Sequence, residues 1–179
     1  GMDYVIHKAE VLPSVRAEWD GLPWSAADTI TIERFVTRGH DHKPRTQVRM
    51  LHDGDSIAVM FRVEDRFVVA RGMEYQSRTH KDSCVEFFVE PVVGKGYFNK
   101  QFNCVGTLVL TYIEDARRKG DGFEEYVGVE EELAAGIGVH ASLRGPIVEE
   151  ISEPTSWTIS YRIPKGIFEA YVGDIPSLD

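Results

Sequence analysis

The chain has 179 residues, with 29 acidic against 20 basic side chains and a formal charge of −9, which argues against a nucleic-acid partner because phosphate binding rests on clustered Lys and Arg. Hydrophobic residues make up 42% and charged residues 27%. That is the balance of one ordinary globular domain, and no apolar run is long enough to cross a bilayer as a helix, so no membrane partner is expected. In chain order, residues 29–35 set Ile30, Ile32 and Arg34 against Thr31, Glu33 and Phe35, an alternation that predicts a strand. Residues 39–44 read as a polar loop. Residues 46–51 and 56–64 form the clearest hairpin, joined through Asp53-Gly54, a pair favoured where a turn needs positive φ. Ile57, Val59, Phe61 and Val63 give its second strand an apolar face. Residues 71–80 are polar and unpatterned, a long loop ahead of the next pair of strands. Residues 107–113 predict a strand, and 115–126 a charged, Gly-rich loop holding Arg117-Arg118-Lys119, the one basic cluster, read as solvated. Residues 127–133 fit a helical turn or an acidic strand edge equally. Residues 136–143 and 157–163 read as strands, the latter alternating Trp157, Ile159, Tyr161 and Ile163 with Thr158, Ser160 and Arg162. Pro164-Lys165-Gly166-Ile167-Phe168 reads as a short helical turn. Strands at this spacing predict an all-β fold: a single domain, residues 1–179, in which two antiparallel sheets pack as a β-sandwich.

The most informative stretch is Asp82-Ser83-Cys84-Val85-Glu86-Phe87-Phe88-Val89-Glu90, followed by Tyr97-Phe98-Asn99-Lys100-Gln101-Phe102-Asn103-Cys104. Successive side chains of a strand point to opposite faces. Glu86 therefore stands away from the apolar side defined by Val85, Phe87 and Val89. On the second strand Phe98, Phe102 and Cys104 share one parity, and Asn99, Gln101 and Asn103 the other. A carboxylate and several amides on one sheet face suit a polyhydroxylated ligand, whose hydroxyls both donate and accept hydrogen bonds. Cys84 and Cys104 fall on opposite faces by this reading, which predicts two thiols and no disulfide, and neither Cys-x-x-Cys nor His-x-x-x-His spacing points to zinc.

This hairpin, with the preceding His52-Asp53-Gly54-Asp55-Ser56-Ile57-Ala58-Val59-Met60-Phe61-Arg62-Val63-Glu64-Asp65 segment, resembles the family 9 carbohydrate-binding modules over roughly residues 24–163. The resemblance implies a β-sandwich that binds a carbohydrate in bacterial-type polysaccharide metabolism. It places Glu86 where the modules hold a ligand carboxylate, and Asn103 where they hold a polar side chain for sugar hydroxyls. Gln101 stands where the xylanase-linked members carry arginine. Those members also have a stacking tryptophan just before the Glu-bearing strand; here His80 is nearest, and Tyr75 could swing in from the loop. Arg49, sharing parity with Gln47, could border the same face. Trp24 resembles the tryptophan that plugs the start of these domains, Trp157 reads as core, and Trp19 is open between core and surface. The aromatic wall that such modules carry on a later loop is not seen before Asp179. The xylanase-linked modules bind structural calcium, which needs about six to eight converging oxygens. Asp53, Asp55, Glu64 and Asp65 lie near turns without closing such a loop, so no metal ligand or other cofactor is assigned.

The leading expectation is a non-catalytic carbohydrate-binding domain using Glu86, Gln101 and Asn103. The alternatives are a glycan-processing hydrolase using the same cleft, and an interaction or accessory domain that has lost the sugar. Gly1-Met2 looks like an expression remnant ahead of a start methionine. A native start at Met2 implies the cytoplasm; a removed signal segment would imply an extracellular or periplasmic protein.

Overall fold

The Asp53-Gly54 turn closes the predicted hairpin by the expected chemistry. The Asp53 carboxylate accepts the backbone N–H groups of Asp55 and Ser56 at 3.0 and 2.8 Å, and Gly54 takes φ +98°, a conformation that a side chain would strain. The strands it joins are β3 (Arg45–His52) and β4 (Ser56–Asp65). In this computed structural model, which describes residues 4–33, 43–114 and 125–178, β4 then pairs along its length with β12 (Thr155–Pro164), Trp157 opposite Val63 and Ile163 opposite Ile57. Opposed residues share a face, so both apolar alternations line one side of the sheet. A six-stranded sheet results, in the order β1 (His7–Lys8), β3, β4, β12, β10 (Gly138–Ala141), with β2 (Thr29–Glu33) also on β3. All its pairings are antiparallel except the short β1–β3 contact.

The second sheet is antiparallel and four-stranded: β6 (Cys84–Val89), β7 (Tyr97–Asn103), β8 (Leu108–Glu114) and β9 (Glu125–Gly128). Its inner face buries Val85, Phe98, Phe102 and Leu110 against Val59, Phe61, Ile159 and Tyr161. The rings of Phe102 and Tyr161 stack across the interface at 4.8 Å. This is the all-β sandwich the alternations predict. The back of the large sheet is covered too: Leu12, Trp19, Trp24 and Ala27 pack on Leu51, Ala58 and Met60. Trp24 and Trp157 are both 1% exposed, as core residues should be. Trp19 resolves to the core side, beneath the guanidinium groups of Arg49 and Arg62 at 4.2 and 4.5 Å from its ring.

Several local readings change. Residues 127–133 are both things they could have been: β9 ends at Gly128, and a helical turn, α1 (Glu131–Ala134), follows. The turn after Pro164 extends into a two-turn helix, α2 (Lys165–Val172), because Ile167, Phe168 and Val172 bury one side of it. Phe168 meets Phe98 edge-on at 4.8 Å. A two-stranded ribbon of β5 (Val68–Ala70) and β11 (Ile147–Ile151) was not legible in the pattern. The loop after β5 ends in a 3-10 turn, Thr79–Lys81. The tail after α2 returns to the β3–β4 turn, where the N–H of Leu178 donates to the Gly54 carbonyl at 2.9 Å. Arg34, Phe35, most of the 39–44 loop and the segment holding Arg117-Arg118-Lys119 lie outside the described residues. Neither cysteine forms a disulfide: Cys84 faces outward opposite Asn103, and Cys104 is in the inter-sheet core.

Candidate functional site

The outer face of the second sheet is built by register. Glu86 stands opposite Gln101, Cys84 opposite Asn103, and Phe88 opposite Asn99, so these six side chains share the face away from the core. Thr79, fully buried in the 3-10 turn, donates from Oγ1 to Gln101 Oε1 at 2.6 Å. Gln101 Nε2 in turn donates to Glu86 Oε2 at 3.2 Å. The Glu86 carboxylate only accepts, so it fixes which end of the amide is nitrogen and leaves Oε1 to accept from the Thr79 hydroxyl. Thr79 is 0% and Gln101 9% exposed, whereas Glu86 is half-buried. A buried donor chain therefore ends at a solvent-reached acceptor. His80 is exposed on the same 3-10 turn, beside Thr79.

Three other expected members are elsewhere or otherwise engaged. Asn103 lies on the right face but is 0% exposed. Its Nδ2 donates to Gly72 O at 2.8 Å and Asp82 Oδ2 at 3.0 Å, and its Oδ1 accepts from the N–H groups of Val105 and Thr107 at 3.2 and 2.9 Å. An amide has two donors and two acceptor positions, and all four are used. Asn103 anchors the loop after β5, and its amide is engaged within the protein. Asn103→Ala should leave the buried Thr107 N–H and its neighbours without partners, at roughly 1–3 kcal/mol per orphaned group. Chemical denaturation should show a loss on the order of 2 kcal/mol.

Tyr75 donates its hydroxyl to Val129 O at 2.6 Å, beyond β9 and so on the opposite side of the sheet from β6. Burial, with Tyr171 and Glu131 adding negative character, pushes its phenol up to about 12. Its ring lines a separate cavity of 340 Å³ with Met73, Val105, Leu108 and Val139. Arg49 belongs to the other sheet. It faces Met60 across β3–β4, donates to Thr29 Oγ1 at 2.9 Å and Trp19 O at 2.7 Å, and holds the N-terminal cover in place.

Beside the expected candidates the face carries three further residues, Phe88, Tyr97 and Asn99. Phe88 is 54% exposed, and its ring lies 6.0 Å from that of Tyr97 at a tilt of 56°. With Val89 and Glu90 they line an open recess of 450 Å³. Asn99, opposite Phe88 in register, has an enclosed Oδ1 that meets no donor among the described residues, at a cost of roughly 1–3 kcal/mol. The signal for all three was the parity they share with Glu86 and Gln101.

A calcium site does not fit the acidic residues near the turns. Asp53 caps its own turn and lies 3.6 Å from Arg162, Asp55 3.7 Å from Lys165, and Glu64 3.5 Å from Arg45. Asp65 accepts the Trp157 indole N–H at 3.0 Å. Among the described residues no three His, Cys, Asp or Glu side chains gather in metal-binding geometry.

Residues 21–179 match the model of carbohydrate-binding family 9. The fold is similar to the crystal structure of a candidate carbohydrate-binding protein from Bacteroides uniformis, with a TM-score of 0.79 and 24% identity, covering 97% of this chain and 77% of that one. No curated protein matches the chain in sequence. With the family model spanning nearly the whole sandwich, including the strands that carry Glu86 and Gln101, the chain belongs to carbohydrate-binding family 9.

Proposed function

We propose that the protein is a non-catalytic carbohydrate-binding domain that takes a mono- or oligosaccharide on the outer face of the β6–β9 sheet. The observation that carries this reading is the Thr79–Gln101–Glu86 chain of hydrogen bonds. A carboxylate held by a buried amide is pre-oriented, so little side-chain freedom is lost when sugar hydroxyls donate to it. Such bonds are charge-assisted and stronger than neutral ones. Gln101 positions the carboxylate, and His80 follows Thr79 on the 3-10 turn that holds Gln101.

Carboxylate spacing supports binding over hydrolysis. Glycosidases set two carboxyl groups about 5–10 Å apart across the scissile bond. The acids sharing Glu86's strand parity are Asp82 and Glu90, each four residues away and thus about 13 Å along the strand. Asp82 is also buried and accepts the N–H groups of Arg71 and Gly72 at 2.9 and 3.0 Å.

Glu86→Ala should weaken saccharide binding by roughly 1.5–3 kcal/mol, read by calorimetry against mono- and oligosaccharides. Its melting curve should stay close to the parent's, because Glu86 is only half-buried and lies on the face away from the inter-sheet core. A variant that unfolds yet retains affinity would make Glu86 structural and refute the assignment.

A further inference from the structure

The apolar cover on the back of the large sheet packs on β3 and β4, through Leu51, Ala58 and Met60. Beyond Met60 the same face continues in register over two more strands, to Ser160 on β12 and His140 on β10. Thr158 stands two residues from Ser160 on that face, opposite Arg62 of β4. At the margin of the cover these side chains share a recess of 280 Å³ with Arg16, Glu18 and Trp19. A hydroxyl on an open sheet face is satisfied by water. Ser160 is 2% exposed, lines this recess, and has no partner for its hydroxyl among the described residues. Buried hydroxyls are nearly always paired, so the floor of the recess holds an unused donor and acceptor.

The charge around the recess is positive, against the −9 of the whole chain. The guanidinium groups of Arg49 and Arg62 lie 4.2 and 4.5 Å from the Trp19 ring. Their hydrogen bonds go to neutral acceptors: Arg49 to Thr29 Oγ1 and Trp19 O, Arg62 to Gln47 Oε1. Arg16, on the rim, forms no ion pair among the described residues. Glu18 is the single acid lining the recess, and it is exposed, where solvent screens it. Arg49 and Arg62 are half-buried, so their field is screened less. We propose that this recess is a second binding site, on the opposite outer face of the sandwich from Glu86, for a small molecule bearing a carboxylate or phosphate group. The Ser160 and Thr158 hydroxyls and a His140 ring nitrogen donate to it, and Arg16 meets its charge from the rim. At 280 Å³ the recess is at the small end of ligand pockets, which fits an acid of a few carbons.

The test titrates the full chain with succinate, glycerol 3-phosphate and uncharged glycerol, read by calorimetry and backbone-amide NMR. At least one of the two acids should bind, with the shifted amides centred on Arg16–Trp19, His140 and Thr158–Ser160, and glycerol should not. The acid bound more tightly identifies the group recognised, carboxylate or phosphate. Ser160→Ala and Arg16→Gln should each weaken that acid roughly tenfold, and Glu18→Gln should strengthen it about two- to fivefold. The melting curve of Ser160→Ala should match or exceed the parent's, because the lost hydroxyl has no partner within the described protein. A lower melting curve with unchanged acid affinity would make Ser160 structural and overturn the inference. So would binding of neither acid, glycerol bound as tightly as the acids, or shifted amides lying away from the recess.

Discussion

Lys100→Met is expected to stabilise the domain by about 3 kcal/mol at pH 6 and to flatten its stability against pH. Lys100 lies on β7 between Phe98 and Phe102 in parity and so points between the sheets, 3% exposed. Burial alone lowers its ammonium from 10.5 to about 7, a displacement equivalent to about 4–5 kcal/mol. The rings of Phe87, Tyr161 and Phe168 lie 5.1, 4.9 and 5.4 Å from Nζ and return about 1 kcal/mol or more through cation–π attraction. The cost of desolvating the ammonium outweighs that attraction. Between about pH 7 and 10.5 the unfolded chain holds a proton on Lys100 that the folded chain does not. Stability therefore rises with pH through that window. Below about 7 both states are charged and the full cost is carried. Methionine matches the stem, adds a polarisable sulfur for the surrounding rings, and has no proton to lose. Melts at pH 6, 7.5 and 9 should show the variant ahead by roughly 6–12 °C at the lowest pH, with the gap closing toward the highest. A gap of constant size, or a variant less stable at pH 6, would show that the amine is not the burden assigned to it.

Trp157→Ala should destabilise the fold by about 3–5 kcal/mol without touching saccharide affinity in the molecules that remain folded. The side chain is 1% exposed in the inter-sheet core, and its indole donates at 3.0 Å to Asp65, itself 5% exposed. Removing it opens a large cavity and strips a buried carboxylate of a donor. Trp157→Phe separates the two contributions, because it refills most of the cavity but not the hydrogen bond. It should recover more than half of the loss in urea unfolding. If Trp157→Ala melts like the parent, the core assignment of β12 fails. If its folded fraction loses affinity, the separation of core from site fails instead.

What could be read from the chain was what local periodicity encodes. Alternation along Ile57–Val63, Val85–Val89 and Trp157–Ile163 is a property of each strand by itself, and it placed these residues on the inner faces of a sandwich. The same parity put Glu86 and Gln101 outward on one face, and the register of β6 and β7 brings them together. Asp53-Gly54 made its turn from four neighbouring residues, for the same local reason. Short segments carried too little period: Val68–Ala70 becomes a strand only through Ile147–Ile151, nearly eighty residues later. The role of each polar side chain was equally beyond local pattern. Asn103 is saturated by Gly72 and Asp82, brought from the loop after β5, and by the turn that follows it. Arg49 has the right alternation on the wrong sheet, and Tyr75, in a loop without period, is held by Val129. Strand parity is set by backbone geometry one residue at a time. The partners that consume a hydrogen-bonding group, or leave it for a ligand, come from distant segments that only the folded chain brings within about 3 Å.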